Sequence, residues 1–175
     1  MHEEVPITES VTGTMRCNVG LAETVPWPHA TAHITHRNAA GEVLWEGDAT
    51  NVITNAGRDF MHLQAYGTSG LGANGLNYVA VSNDALSETT ASTTLSNEIA
   101  ANGLTRAQGT VAHSAGTNVT TVTKTFTCAT APQSAQKAAL FSASSTGTMN
   151  HVLAFTQRAL QIGDQLTVAF TITVG

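Results

Sequence analysis

Residues 165–174 read QLTVAFTITV, and apolar and hydroxyl-bearing side chains alternate along almost the whole stretch. Leu166, Val168, Phe170, Ile172 and Val174 fall on one face of an extended chain, with Thr167, Thr171 and Thr173 on the other. That period of two marks a strand with one face in a core and one face outside it. Working back along the chain, the same alternation recurs in Thr117–Ala129, Ala138–Ala143 and Met149–Thr156, with polar turns between. In Thr117–Ala129 the face carrying Thr120, Val122, Lys124, Phe126 and Cys128 is the more apolar one and is assigned inward. Gly103–Ser114 reads as the partner strand of a long β-hairpin that turns at Ala115-Gly116.

Nearer the N-terminus, Ala30, Ala32 and Ile34 alternate with Thr31, His33 and Thr35, predicting a half-buried strand over Ala30–Arg37. Asn38-Ala39-Ala40-Gly41 supplies a turn, Glu42–Trp45 begins the return strand, and Gly47–Thr54 reads as a further strand. The period then changes. Phe60, Met61, Leu63 and Ala65 share a helical stripe over Arg58–Tyr66, capped by Thr54 or Asn55. Tyr78–Ser82 is a short apolar strand, and Leu95–Ala101 reads as a second short helix. Many short strands with regular turns predict a mainly β fold: an antiparallel β-sandwich, jelly-roll-like, with one or two short helices. The expected organisation is an extended N-terminal arm over residues 1–28, broken by Pro6, Pro26 and Pro28, and a single β-sandwich domain over residues 29–175.

Composition narrows the function. Only 11% of residues are charged, against about 25% in an average soluble protein. Thr, Ser, Asn, Ala and Gly fill the gap, which is the composition of a surface covered by protein neighbours rather than by water alone. Seven Lys and Arg within a net charge of -5 form no cluster able to grip phosphates, so nucleic acid is not an expected partner. No run approaches the length of a membrane span, and the acidic Met1-His2-Glu3-Glu4 start is unlike an export signal. Neither membrane insertion nor secretion is expected.

The motifs that would carry chemistry are weak. Gly70-Leu71-Gly72-Ala73-Asn74-Gly75 has the GxGxxG spacing, but it follows a helix and precedes a strand, the reverse of a dinucleotide-binding turn. On a strand His29 and His33 stand about 13 Å apart and His36 faces the other way, so one metal ion does not join them; they are expected at a surface or interface. No GxSxG, HExxH or paired carboxylates appear, and Asp48, Asp59, Asp84 and Asp164 read as turn or helix-end residues. Asn118-Val119-Thr120 is a glycosylation sequon without a secretory context. Glu98 and Arg106 are expected to pair, joining the short helix to the hairpin. Cys17 and Cys128 read as two free thiols, with a bridge between them as the alternative. Trp27, Trp45, Tyr66 and Tyr78 are too dispersed for a carbohydrate-stacking row and read as core or interface anchors. No enzyme, cofactor or metal site is expected.

Several segments together resemble a family of small phage structural proteins, tail-fibre-like or capsid-decorating. The resemblance runs from Asn51-Val52-Ile53-Thr54-Asn55-Ala56-Gly57-Arg58 through Tyr78-Val79-Ala80-Val81-Ser82, Leu95-Ser96-Asn97-Glu98-Ile99-Ala100 and Leu104-Thr105-Arg106-Ala107. It continues in Ala139-Leu140-Phe141-Ser142-Ala143 and Gly147-Thr148-Met149, and closes on Gly163-Asp164-Gln165-Leu166-Thr167-Val168 and Thr171-Ile172-Thr173. It implies a virion β-sandwich without an active site, assembled in the host cytoplasm. The extra first 50 residues, an arm and a hairpin, tilt the expectation toward a capsid decoration (cement) protein that clamps neighbouring major capsid subunits as a trimer or dimer. Val5, Pro6, Ile7 and Trp27 are the expected partner contacts, with the major capsid protein or other virion proteins as partners. The alternatives are a tail or head fibre or collar component and a lectin-like glycan-binding module.

Overall fold

The strand read at Ala30–Arg37 is β1 (His29–Arg37), and its alternation is kept: Ala30, Ala32 and Ile34 are buried while Thr31 and His33 are exposed. The structure, a computed structural model, describes residues 29–66 and 75–173. The arm with Val5, Pro6, Ile7, Cys17 and Trp27 lies outside the described residues, as does nearly all of the Gly70–Gly75 loop. Eight further strands follow: β2 (Val43–Ile53), β3 (Tyr78–Ser82), β4 (Ala107–Gln108), β5 (Thr110–His113), β6 (Val119–Thr127), β7 (Gln133–Phe141), β8 (Met149–Leu160) and β9 (Gln165–Thr173). One helix, α1 (Asn55–Tyr66), joins β2 to the loop before β3.

Every strand pair is antiparallel, and the order is β4-β3-β7-β8-β2-β1-β9-β6-β5. β4 and β5 are separated in the chain by Gly109 alone, yet they occupy the two ends of that order. The chain thus steps from one end of the sheet to the other within a residue, and the sheet nearly closes on itself. Gly109 makes the step possible. Its N–H donates to the Asn77 carbonyl, and a Cβ there would stand 2.9 Å from the Thr123 carbonyl oxygen, closer than any side chain tolerates. The expected single strand over Gly103–Ser114 is therefore two short strands on different neighbours. At the opposite seam β2 and β8 pair only through Asn51–Ile53 and His151–Leu153. Beyond that fork the ring of Trp45 on β2 stacks with Phe155 on β8 at 6.3 Å between centroids, and the Arg158 guanidinium lies 4.7 Å from the Trp45 ring.

A single core fills the interior. Ile34, Val79, Leu104, Val122, Phe126, Leu140, Leu153, Leu160, Leu166, Val168 and Phe170 are buried together, so the inward faces assigned to β6 and β9 are the ones the fold uses. Truncating any of the fully buried Phe side chains to Ala costs about 3–5 kcal/mol. A smaller apolar layer lies on the outer side of β3, β7 and β8, where Leu95 covers Ala80, Ala139, Phe141, Met149 and Val152.

Three further expectations are corrected. Leu95–Ala101 is not a helix: Asn97 adopts a left-handed φ of 48°, Glu98 bridges to Ser82 and the Ile99 N–H bonds the Val81 carbonyl, so the segment extends β3's edge instead. Glu42–Trp45 and Gly47–Thr54 are one strand, β2, because Gly47 leaves room for the Trp45 ring against its backbone. His36 is not a surface residue but is buried on the core side of β1. The helix begins earlier than Arg58. Thr54 caps it, its Oγ1 accepting the Gly57 N–H at 3.0 Å while donating to the Met149 carbonyl.

Candidate functional site

The outward face of β6, β9 and β1 is the broadest candidate surface. The register sets Thr121, Thr171, Thr31 and Thr50 in one cross-strand row, and Thr125, Thr167 and Thr35 in another. Between them run Thr123, Ala169 and His33, and Thr125 and Thr167 share a hydrogen bond at 2.8 Å. Ionisable groups appear only toward β2, where His33 Nδ1 lies 2.8 Å from Asp48 and its Nε2 is 4.0 Å from Glu46. Such a face offers hydroxyl donors and acceptors to a partner without the desolvation cost of full charges.

The charged residues are gathered elsewhere, largely out of water. Arg106 holds Glu98 through Nε at 2.9 Å and through its second terminal nitrogen, donates to the Ala143 and Thr146 carbonyls, and lies 3.5 Å from the centre of the Phe141 ring. The expected Glu98–Arg106 pair is thus present, and it anchors the Ala143–Thr146 turn as well. His36 donates from Nε2 to Asp164 at 2.9 Å, and both are buried. Burial alone would raise the Asp164 pKa, but the Gln161 N–H and His36 together hold it below its ordinary value. On β8, His151 is buried and accepts the Asn51 amide at Nδ1; burial lowers its pKa to about 4.

Lys137 is the least anticipated member. A bulge at Gln136 turns it to the outer side of β7 with Ala139 and Phe141, beneath the segment that follows β3. Its Nζ lies 2.8 Å from Glu88 Oε1, 2.9 Å from the Leu86 carbonyl and 3.4 Å from Asp84 Oδ2. Burial raises the Glu88 pKa, but hydrogen bonds from Lys137, Ser92 and the Ser96 N–H outweigh it and hold the carboxyl below its ordinary value. A cleft of about 200 Å³ between Thr50, Val52, Leu153, Ala154 and this cluster opens at the β2–β8 fork. A more apolar cavity of about 280 Å³ lies between Met61, Leu76, Val122, Leu140, His151 and Ile172.

Among the described residues no group of three or more His, Cys, Asp and Glu side chains is placed to hold a metal ion. His33 and His36 point to opposite faces of β1, as the strand period requires. Cys128 is a buried free thiol whose pKa is raised by burial. Sequence reading missed the Lys137 cluster and the two buried His partnerships. The available signal was a lysine heading the apolar run Ala138-Ala139-Leu140-Phe141, where a cation must find acceptors. The chain matches no protein-family model, no curated protein and no solved structure.

Proposed function

We propose that the protein is a non-enzymatic structural component of a phage virion, a capsid decoration protein that fastens neighbouring major capsid subunits. The observation that supports this reading is the hydroxyl-rich outward face of β6, β9 and β1, set in register rows and nearly free of ionisable groups. A face of that kind gains affinity through area and neutral hydrogen bonds, and repetition around a symmetric shell multiplies modest contacts into avidity. The 1–28 segment, with Val5, Pro6, Ile7 and Trp27, is the part that reaches neighbouring subunits. The protein acts as a dimer or trimer in the assembled virion.

Removing residues 1–28 tests the reading. The truncated chain is expected to keep its β-rich circular dichroism spectrum and to lose binding to undecorated heads; retained decoration would overturn the role of the arm. Quantitative gels of whole particles supply the second test. Hundreds of copies per particle agree with decoration, whereas a number between about 3 and 18 would place the protein in a tail, fibre or collar.

A further inference from the structure

We propose that the side chains of Lys137 and Asp84 condense to an amide within the folded chain, with Glu88 as the proton carrier, so that the loop after β3 becomes covalently stapled to β7. The proposal goes beyond the virion reading and neither depends on the other. It starts from burial: the Lys137 side chain is 2% exposed, Glu88 7% and Asp84 10%. One cation and two carboxylates in such a place carry a large desolvation cost, and condensation removes two of the three charges. The geometry is already that of reactants. Nζ stands 3.4 Å from Asp84 Oδ2, inside the range of about 3–3.5 Å from which well-oriented groups react.

Each partner is held still. Lys137 is fixed by the Leu86 carbonyl at 2.9 Å. Asp84 is fixed through its own N–H, which donates to Ser82 Oγ, and through Oδ1, which accepts the Leu86 N–H. The two carboxylates are not equivalent. Glu88 Oε1 accepts from both Lys137 and the Ser96 N–H, which favours an anion and a proton acceptor. Among the described residues, Asp84 Oδ2 has only the amine as a partner, which leaves its carbon as the electrophile. Val52, Val152, Leu153 and Ala154 wall the cleft with apolar surface and disfavour the return of water.

The step balances without a further reagent. The nitrogen lone pair of Lys137 forms a bond to Asp84 Cγ, and the Cγ–Oδ2 bond breaks with its electron pair on the oxygen. Two of the three ammonium protons leave with that oxygen as water. Glu88 takes a proton from the nitrogen, passes it to the departing oxygen and ends in the protonation state in which it began.

The test is the intact mass of the full-length chain, folded, incubated and then denatured. The expected mass is one water below that of the sequence, and a protease digest should give a branched peptide holding both Asp84 and Lys137. Asp84→Ala should restore the full sequence mass, and Glu88→Gln should slow formation by about 100-fold or more. An unmodified wild-type mass would overturn the proposal. So would a lost water that maps to any place other than Asp84–Lys137, including a link to Glu88, or a branched peptide that forms as fast in Glu88→Gln. The decisive reading uses the wild-type chain, so it does not depend on any variant folding.

Discussion

The side-chain amide of Asn51 donates to Nδ1 of His151 across 2.6 Å, while Asn51 Oδ1 accepts the Ala30 N–H at 2.9 Å. One side chain on β2 thus joins β1 to β8, at the only point where the two seams of the sheet meet. It also fixes His151 as a neutral imidazole with its proton on Nε2, because Nδ1 must accept.

That arrangement sets a pH dependence. The folded pKa of His151, about 4, is depressed below the ordinary 6.5, so the unfolded chain binds the proton more readily than the folded one. The contribution to stability is whole above pH 6.5 and is lost as pH falls to about 4, on the order of 3 kcal/mol. Glu88 and Asp164 are lowered as well, and they add losses of the same sign at still lower pH. Thermal melts should show a Tm that is flat above pH 7 and falls steadily below 6.5. In His151→Leu the fall between 6.5 and about 4 should vanish, with stability at pH 7 lower by about 1–3 kcal/mol because the Asn51 amide loses its acceptor.

Replacing Arg106 should be among the most damaging single changes. Arg106→Ala leaves Glu98 without its cation, frees the Ala143 and Thr146 carbonyls and uncovers the Phe141 ring. With side-chain exposures of 9% and 23%, the pair is shielded enough for a loss of about 3 kcal/mol or more by urea denaturation. Arg106→Lys should recover less than half of that, since a single ammonium does not reproduce the forked contact.

Gly57→Ala gives a test whose sign is opposite to intrinsic propensity. Within a helix Ala is favoured over Gly by about 1 kcal/mol, yet a Cβ at Gly57 would stand 2.6 Å from Asn150 Cα, a backbone atom that cannot rotate away. The substitution should therefore destabilise by about 1–3 kcal/mol. It should also loosen the bond from the Asn150 amide to the Gly57 carbonyl, which amide exchange at the start of α1 would report.

Cys128 should resist modification. It is buried and its pKa is raised, so little thiolate is present near neutral pH. A disulfide-exchange reagent should label Cys128 in the native protein at least about 100-fold more slowly than in urea. Rapid native labelling of Cys128 would contradict the structure.

The strands were legible because one face of each is apolar and the other carries hydroxyls, as Leu166, Val168 and Phe170 against Thr167 and Thr171 illustrate. That period reports burial and says nothing of neighbours, so the closure of the sheet through Gly109 left no trace in the alternation. Leu95–Ala101 misled because its apolar spacing fits a helix, while the decisive feature is a left-handed turn at Asn97, a residue type that tolerates it. The Glu98–Arg106 pair was readable from opposite charges at short separation. The Lys137 cluster was not: its members lie 49 and 53 residues apart, and a bulge sets which face the lysine takes. The arm, where the expected partner contacts sit, lies outside the described residues, so those contacts remain part of the proposal.

His29 and Thr173 stand opposite each other at one end of the β1–β9 pair. Polypeptide spliced ahead of residue 29 and polypeptide spliced behind residue 173 therefore emerge at one pole of the molecule, side by side. A tether that pulls on both handles would peel β1 from β9 one bond after another instead of loading the whole row together, which is the weak direction for an antiparallel pair. Cargo fused at the two positions would be displayed together, with the far pole left bare.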